Sequence, residues 1–296
     1  MDFTEEGAAG AVAGSFSDTP DLRLKELMTS LVRHLHAFVR EVEPTMAEWE
    51  QAISFLTRTG QACDATRQEF ILLSDVLGVS MLVETINARK VASSPEVTPS
   101  TVLGPFHVVA SPPRELGDTL DGRGEGQPCV VTGEVRDTAG KPLAGARVDV
   151  WQCDEHGFYD VQQPGVQPEG NGRGLFRTDG DGRFWFRTVV PSHYPIPADG
   201  PAGELLTATH RHPFRPAHIH FIADAPGHAP VTTHFFVAGS PYLESDAVFA
   251  VKQDLIRDFA EVTDPAAAAG FGVTTPFRHA AVDLVLAPAA DSAGGG

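Results

Sequence analysis

A chain of 296 residues, 42% hydrophobic and 21% charged, has the composition of an ordinary globular protein and the length of about two domains. Its formal net charge of -17 at pH 7 excludes the clustered Lys and Arg that nucleic acid or an anionic membrane surface requires. No run of about 18 apolar residues occurs to span a bilayer, and the start, Met1-Asp2-Phe3-Thr4-Glu5-Glu6, is acidic where a secretory leader is basic, so a cytoplasmic protein is expected.

Residues 1–18, rich in Gly, Ala, Ser and acid, read as a disordered tail. After Thr19-Pro20, Leu24, Leu27, Leu31, Leu35 and Phe38 recur at helical spacing. Thr45 and Glu48 form a capping-box pattern that opens a second helix through Trp49, Ile53 and Leu56. Asp64 can cap a third helix, through Phe70, Leu73 and Leu77 to Gly78, and Val79 to Ile86 suggests a fourth. Near Ala92 the pattern changes to short β-rich runs: Cys129–Val135, Ala146–Gln152, Arg183–Val189, Ala217–Ala223, Val231–Val237 and Ala281–Leu286. Asp137-Thr138-Ala139-Gly140 and Asp179-Gly180-Asp181-Gly182 are hairpin-like turn signals, and Glu244–Phe259 reads as helical. Cys63, Cys129 and Cys153 are too few and too scattered for a disulfide framework and read as reduced thiols.

The expected fold is therefore α+β: a helical segment over 19–95, then an antiparallel β-sandwich over 96–286 carrying its chemistry on loops, with 287–296 a flexible tail.

Chemistry concentrates on few residues. Only three tyrosines occur, and two, Tyr159 and Tyr194, sit in loops that precede a histidine pair, His218-Ile219-His220. Strand alternation puts His218 and His220 on one face, able to grip one ion. Two imidazoles with two phenolates suit a hard, oxidised cation better than zinc, which points to Fe(III), one per chain. A trivalent ion would deprotonate both phenols despite their usual pKa near ~10. Two phenolates and a hydroxide neutralise Fe(III), and a dianionic ortho-diphenol can replace the hydroxide and one phenolate without changing that charge. Tyr242 reads as an ordinary packing tyrosine.

Tyr159, Tyr194, His218 and His220, with Arg215 in Arg215-Pro216-Ala217-His218-Ile219-His220, resemble the ligand pattern of the intradiol ring-cleaving dioxygenases. The resemblance covers roughly residues 20–285 and includes Leu72 to Met81, Leu103-Gly104-Pro105-Phe106 and Val150-Trp151. Within the family, Leu103 to Val108 and Arg211 to Pro216 look most like hydroxyquinol 1,2-dioxygenases, with catechol and chlorocatechol 1,2-dioxygenases as the alternative. His234 departs from the Gln that many catechol-cleaving relatives carry there.

The resemblance implies that Tyr159, His218 and His220 stay on the iron while Tyr194 leaves when an ortho-diphenol binds. Arg215 would then stabilise negative charge developing on the ring as O2 attacks. It implies a pocket of Leu72, Asp75, Val102, Leu103, Gly104, Pro105, Phe106, Ile196, Pro197 and Arg215. Asp75 is suited to accept a hydrogen bond from a third ring hydroxyl, the product then being 3-hydroxy-cis,cis-muconate or its tautomer maleylacetate. It also implies a homodimer joined through the helical segment, with phospholipid in an apolar tunnel there.

Other signals carry less. Asp179-Gly180-Asp181-Gly182 lacks the Glu that a calcium loop needs at its twelfth position, which is Val190. His210 and His212 have no metal spacing, and His34 and His36 read as solvated. A cupin dioxygenase would need a Glu soon after the histidine pair, where Asp224 stands instead. The remote rival is a non-catalytic β-sandwich binding module.

Overall fold

The computed structural model describes residues 3–64, 67–91, 96–107 and 109–289. The chain divides into two compact units, 1–58 and 59–296.

The first unit holds α1 (Ala8–Gly14), α2 (Leu22–Val42) and most of α3 (Met46–Gln61). Helix α1 lies where composition predicts disorder. Its alanines, the residues that propagate a helix at least cost, outweigh the glycines that bracket them. Helix α2 is capped by Asp21, whose Oδ1 accepts from the amides of Arg23 at 2.8 Å and Leu24 at 3.0 Å, so the start lies just after the Thr19-Pro20 signal. The expected capping box opens α3: Glu48 Oε2 accepts from Thr45 N at 2.8 Å, and Thr45 Oγ1 from Glu48 N at 3.3 Å. The apolar stripe of α2, Leu24 to Phe38, is 47–58% exposed.

The second unit begins with α4 (Glu69–Val76) and α5 (Val79–Val91), separated by Gly78 at φ +72°. Asp64 does accept from Arg67 N, at 2.7 Å, but the helix starts only at Glu69. These two helices belong with the sheets. The buried Glu69 carboxylate accepts from Ala202 N at 2.9 Å, Arg211 reaches the Val76 carbonyl, and Leu72, Val76 and Met81 share one apolar cluster with the sheet residues. The compact units divide after Arg58; the expected boundary at 95/96 adjoins residues 92–95, outside those described.

There follow β1 (Pro128–Asp137), β2 (Arg147–Trp151), β3 (Arg173–Arg177), β4 (Arg183–Val189), β5 (Tyr194–Pro195), α6 (Pro201–Ala208) and β6 (Phe214–Arg215). The chain then forms β7 (His218–Asp224), β8 (Val231–Val237), β9 (Ile256–Arg257), β10 (Ala260–Val262), α7 (Pro265–Phe271), β11 (Phe277–Ala281) and β12 (Leu284–Leu286). One five-stranded sheet runs β10-β11-β1-β12 with β4 also on β1; the other runs β3-β2-β7-β8-β9. Pairing is antiparallel except for β1 with β11 and β12 and β8 with β9. Alternating residues from both sheets, among them Val131, Val148, Phe176, Phe186, Phe221 and Phe235, fill the space between with none exposed.

Of the two turn signals, Asp137 to Gly140 closes a short antiparallel turn in which Arg136 bridges Pro142 and Asp137 N donates to the Lys141 carbonyl, whereas Asp179 to Gly182 leads elsewhere. Asp179 Oδ1 accepts from the amides of Asp181 and Arg183, and Gly182 takes φ +75°, yet the turn carries the chain from β3 in one sheet to β4 in the other. The segment 244–259 forms no α-helix. Asp246 takes the amides of Val248 and Ala250 on its own carboxylate, at 3.3 and 3.0 Å, and Phe249 sits at φ +59°, which spends the donors a helix would use. Of the expected tail, Ala287 is buried and Pro288 bridges to His228; 290–296 lie outside the described residues. No helix among the described residues is long and apolar enough to cross a membrane.

Candidate metal centre

Strand β7 turns His218 and His220 to one face and buries both, at 0% and 1% exposure. Tyr159 is delivered by a tight loop in which Asp154 Oδ1 accepts from the amides of His156 and Phe158, each at 2.9 Å. Tyr194 lies on β5, directly opposite Arg215 of β6. The two loops approach so closely that a Cβ on Gly157, at φ +88°, would meet Tyr194 Cβ at 2.9 Å and the His193 carbonyl at 3.0 Å. Only glycine fits between them.

The four side chains converge. Tyr159 Oη lies 3.3 Å from Tyr194 Oη, Tyr194 Oη 3.4 Å from His218 Nε2, His218 Nε2 3.2 Å from His220 Nε2, and His220 Nε2 3.0 Å from Tyr159 Oη. A metal with bonds of about 2.0–2.2 Å spaces tetrahedral donors about 3.3–3.6 Å apart. The ring of contacts is therefore near the size such an ion sets. The His218 Nδ1–H donates to the Pro216 carbonyl at 2.7 Å, which leaves the Nε2 lone pair facing the other three donors.

Electrostatics fit the same occupant. Burial, then the neighbouring Arg215 charge, holds His218 neutral well below its ordinary pKa; burial, then His234 and His218, does so for His220. Neutral imidazole is the form that ligates. Burial pushes the Tyr159 phenol well above its usual value, with Tyr194 adding to the shift. Tyr194 is also raised by burial, but Arg215 draws it back. Neither phenol ionises alone in this environment, so two phenolates require a cation between them. Cys153 packs beside both tyrosines, yet burial pushes its thiol up to about 12 and it remains uncharged.

Arg215 is 2% exposed, with one guanidinium nitrogen 3.3 Å from His218 Nε2. It is also in a salt bridge: Asp246 accepts from its Nε at 3.1 Å and from a terminal nitrogen at 3.3 Å. Burial works against the guanidinium charge, and Asp246 with the two tyrosines outweighs it. Asp246 escapes sequence reasoning because it falls in a stretch with helical composition, where nothing sets it apart from the neighbouring Glu244.

The expected pocket residues divide into groups. Phe106 stacks on Tyr159 with ring centroids 4.5 Å apart, and a Cβ on Gly104 would meet His220 Cε1 at 3.2 Å, so of Val102, Leu103, Gly104, Pro105 and Phe106 it is Gly104 and Phe106 that lie against the four side chains. Asp75 is 3% exposed; burial raises its carboxyl pKa, Ser80 and Arg215 oppose that, and Asp246 adds to it. Leu72, Val102 and Ile196 join the main apolar cluster together with Val248, which the sequence did not single out. Pro197 lines an open cavity of about 450 Å³ with His156, Gly157 and Phe158. Tyr242 stacks on Phe214 and His212 bonds Ser245, both apart from the four donors. His234, by contrast, is fully buried beside His220, its Nδ1 2.9 Å from Thr101 Oγ1.

A family model described as "Dioxygenase" matches residues 104–288, and one described as "Catechol dioxygenase N terminus" matches 21–94. The chain is 52% identical over 286 residues to a hydroxyquinol 1,2-dioxygenase of a Rhizobium species, covering 96% of each. It is 52% identical over 265 residues to a 6-chlorohydroxyquinol 1,2-dioxygenase of Cupriavidus pinatubonensis, covering 89% of this chain and 94% of that one. The solved structure of a hydroxyquinol 1,2-dioxygenase from Pseudomonas putida superimposes with a TM-score of 0.89 at 46% identity, over 96% of this chain and 99% of that one.

Proposed function

We propose, from the premise that this chain belongs to the intradiol ring-cleaving dioxygenase family, that it opens the ring of hydroxyquinol (benzene-1,2,4-triol). Both atoms of O2 enter the product, 3-hydroxy-cis,cis-muconate in balance with maleylacetate, as cleavage falls between the two hydroxylated carbons. The observation that carries this reading is the closed ring of two phenol oxygens and two imidazole nitrogens, 3.0–3.4 Å apart, beside a buried Arg215.

Fe(III), one per chain, would be held by Tyr159, Tyr194, His218 and His220, and when bound it supplies the Lewis acidity that binds the diphenol as its dianion. Tyr194 would be the donor given up to the diphenol. Arg215 favours its phenolate form, which would take one substrate proton at Oη, the second going to the hydroxide that the diphenol displaces. Arg215, held in place by Asp246, lies against the ring and stabilises negative charge as it develops there. Phe106 and Gly104 wall the donors and keep water off that face. Asp75 accepts the hydrogen bond of the third hydroxyl, which favours the triol over catechol or a chlorocatechol. A buried carboxyl left unpaired by a smaller substrate discriminates more strongly than an apolar wall does.

We propose further a cytoplasmic homodimer joined through the helical segment 19–95, with phospholipid seated there; the exposed apolar stripe of α2 supports this. Light scattering and lipid extraction test it. The activity is tested by oxygen uptake with hydroxyquinol and with catechol, in the wild type and in Asp75→Ala. The expected result is consumption of one O2 per hydroxyquinol, and a wild-type preference for the triol that Asp75→Ala diminishes. An unchanged kcat/KM ratio rejects the Asp75 role, and no uptake with either substrate rejects the activity.

A further inference from the structure

His218 and His220 are not held alike. The Nδ1–H of His218 has the Pro216 carbonyl. His220 also turns Nε2 to the other three side chains, so its proton belongs on Nδ1, yet that nitrogen is buried and without a hydrogen-bond partner among the described residues. A buried N–H left so bears the full cost of its lost hydration. Directly across the strand pair from His220 stands His234, 0% exposed, its ring 4.1 Å from that of His220 and edge to face at 78°. His234 Nε2 is also buried and without a hydrogen-bond partner among the described residues.

The two orphaned nitrogens answer each other only in one arrangement. Trp151 stacks on His220 at 4.5 Å and its Nε1 is likewise unpartnered, but an indole nitrogen donates only and cannot take the His220 proton. Nε2 of His234 can take it when the His234 proton sits on Nδ1, facing Thr101 Oγ1 at 2.9 Å, and a hydroxyl oxygen accepts there.

We propose that His234 is a positioning residue of the metal centre: its Nε2 accepts the Nδ1–H of His220, directly or through one water, while its own Nδ1–H donates to Thr101 Oγ1. Resting on the ferric reading of the site, this makes Thr101–His234–His220 a chain that sets the orientation and basicity of one ligand. Loss of such an outer partner typically costs about 10–100-fold in metal affinity.

The test uses the full-length ferric protein and the variants His234→Ala, His234→Gln and Thr101→Val. Iron retention against a competing chelator and the position of the tyrosinate-to-iron absorption band are read together. The expected result is about 10–100-fold weaker iron binding and a shifted band in His234→Ala. Thr101→Val shifts the band in the same direction by less. His234→Gln, whose amide oxygen can accept from His220 while its NH2 donates to Thr101, recovers most of the affinity. A His234→Ala variant with wild-type retention and an unmoved band overturns the proposal, as does a Gln variant as weak as Ala. Should His234→Ala fail to fold, an unmoved band in Thr101→Val overturns it equally. Wild-type protein that takes up no iron sinks the functional reading itself, whereas wild-type uptake matched by His234→Ala sinks only this inference.

Discussion

Replacing Asp246 by Asn takes the counter-charge from a guanidinium that is 2% exposed. Two charged hydrogen bonds, at 3.1 and 3.3 Å, are lost or weakened, and the amides of Val248 and Ala250 lose part of their acceptor. Breaking a buried ion pair from one side costs about 3–5 kcal/mol. For a unit of this size, each kcal/mol lowers Tm by about 2–4 °C, so a fall of about 6–20 °C is expected. The lower end is favoured because Asp75, close enough to feel Arg215, remains as a second carboxylate. The Asp75→Asn, Asp246→Asn pair should therefore cost more than the two single changes together. Because Arg215 is then misplaced against the ring, kcat/KM for hydroxyquinol should fall about 10²–10³-fold, while the ferric colour, owed to the tyrosines, persists. Calorimetry of the iron-loaded protein and oxygen uptake read both effects. An Asp246→Asn variant within about 2 °C of wild-type Tm and with unchanged kcat/KM would show that Asp246 does not hold Arg215 in place.

Tyr194→Phe should weaken the charge-transfer colour and slow turnover with iron still bound through three ligands; full colour and rate in that variant would remove Tyr194 from the centre. Gly157→Ala puts a Cβ 2.9 Å from that of Tyr194 at a positive φ, a strain of about 1–3 kcal/mol, and should move the absorption band as well as lower Tm. The pH dependence follows from three imidazoles, His218, His220 and His234, all held neutral chiefly by burial. Their folded pKa values lie below the unfolded 6.5, so the unfolded chain binds more protons as pH falls through that value, and iron-free stability is retained above it and lost below. Three protons give a slope of up to about 4 kcal/mol per pH unit, measured by denaturant titration from pH 8 to ~5; stability flat through that window would contradict neutral burial.

The clustering of Tyr159, Tyr194, His218 and His220 was legible because local rules point to each of them. Strand alternation pairs His218 with His220, and the rarity of tyrosine singles out Tyr159 and Tyr194. The capping box at Thr45 and Glu48 was readable for the same reason. What stayed hidden is made by distant contacts: Asp246 on Arg215, Thr101 on His234, and Glu69 on the start of α6, which ties α4 to the sheets. Composition misled where one side chain overrode it, as when Asp246 claimed the amides of 248 and 250 in a stretch of helical character.

Iron analysis and a visible spectrum of the purified, iron-replete protein, taken before and after anaerobic addition of hydroxyquinol, bear most directly on the centre. One iron per chain is expected, with an intense tyrosinate band that changes when substrate displaces Tyr194. A colourless protein carrying stoichiometric iron would contradict phenolate ligation, and with it ring cleavage at this site.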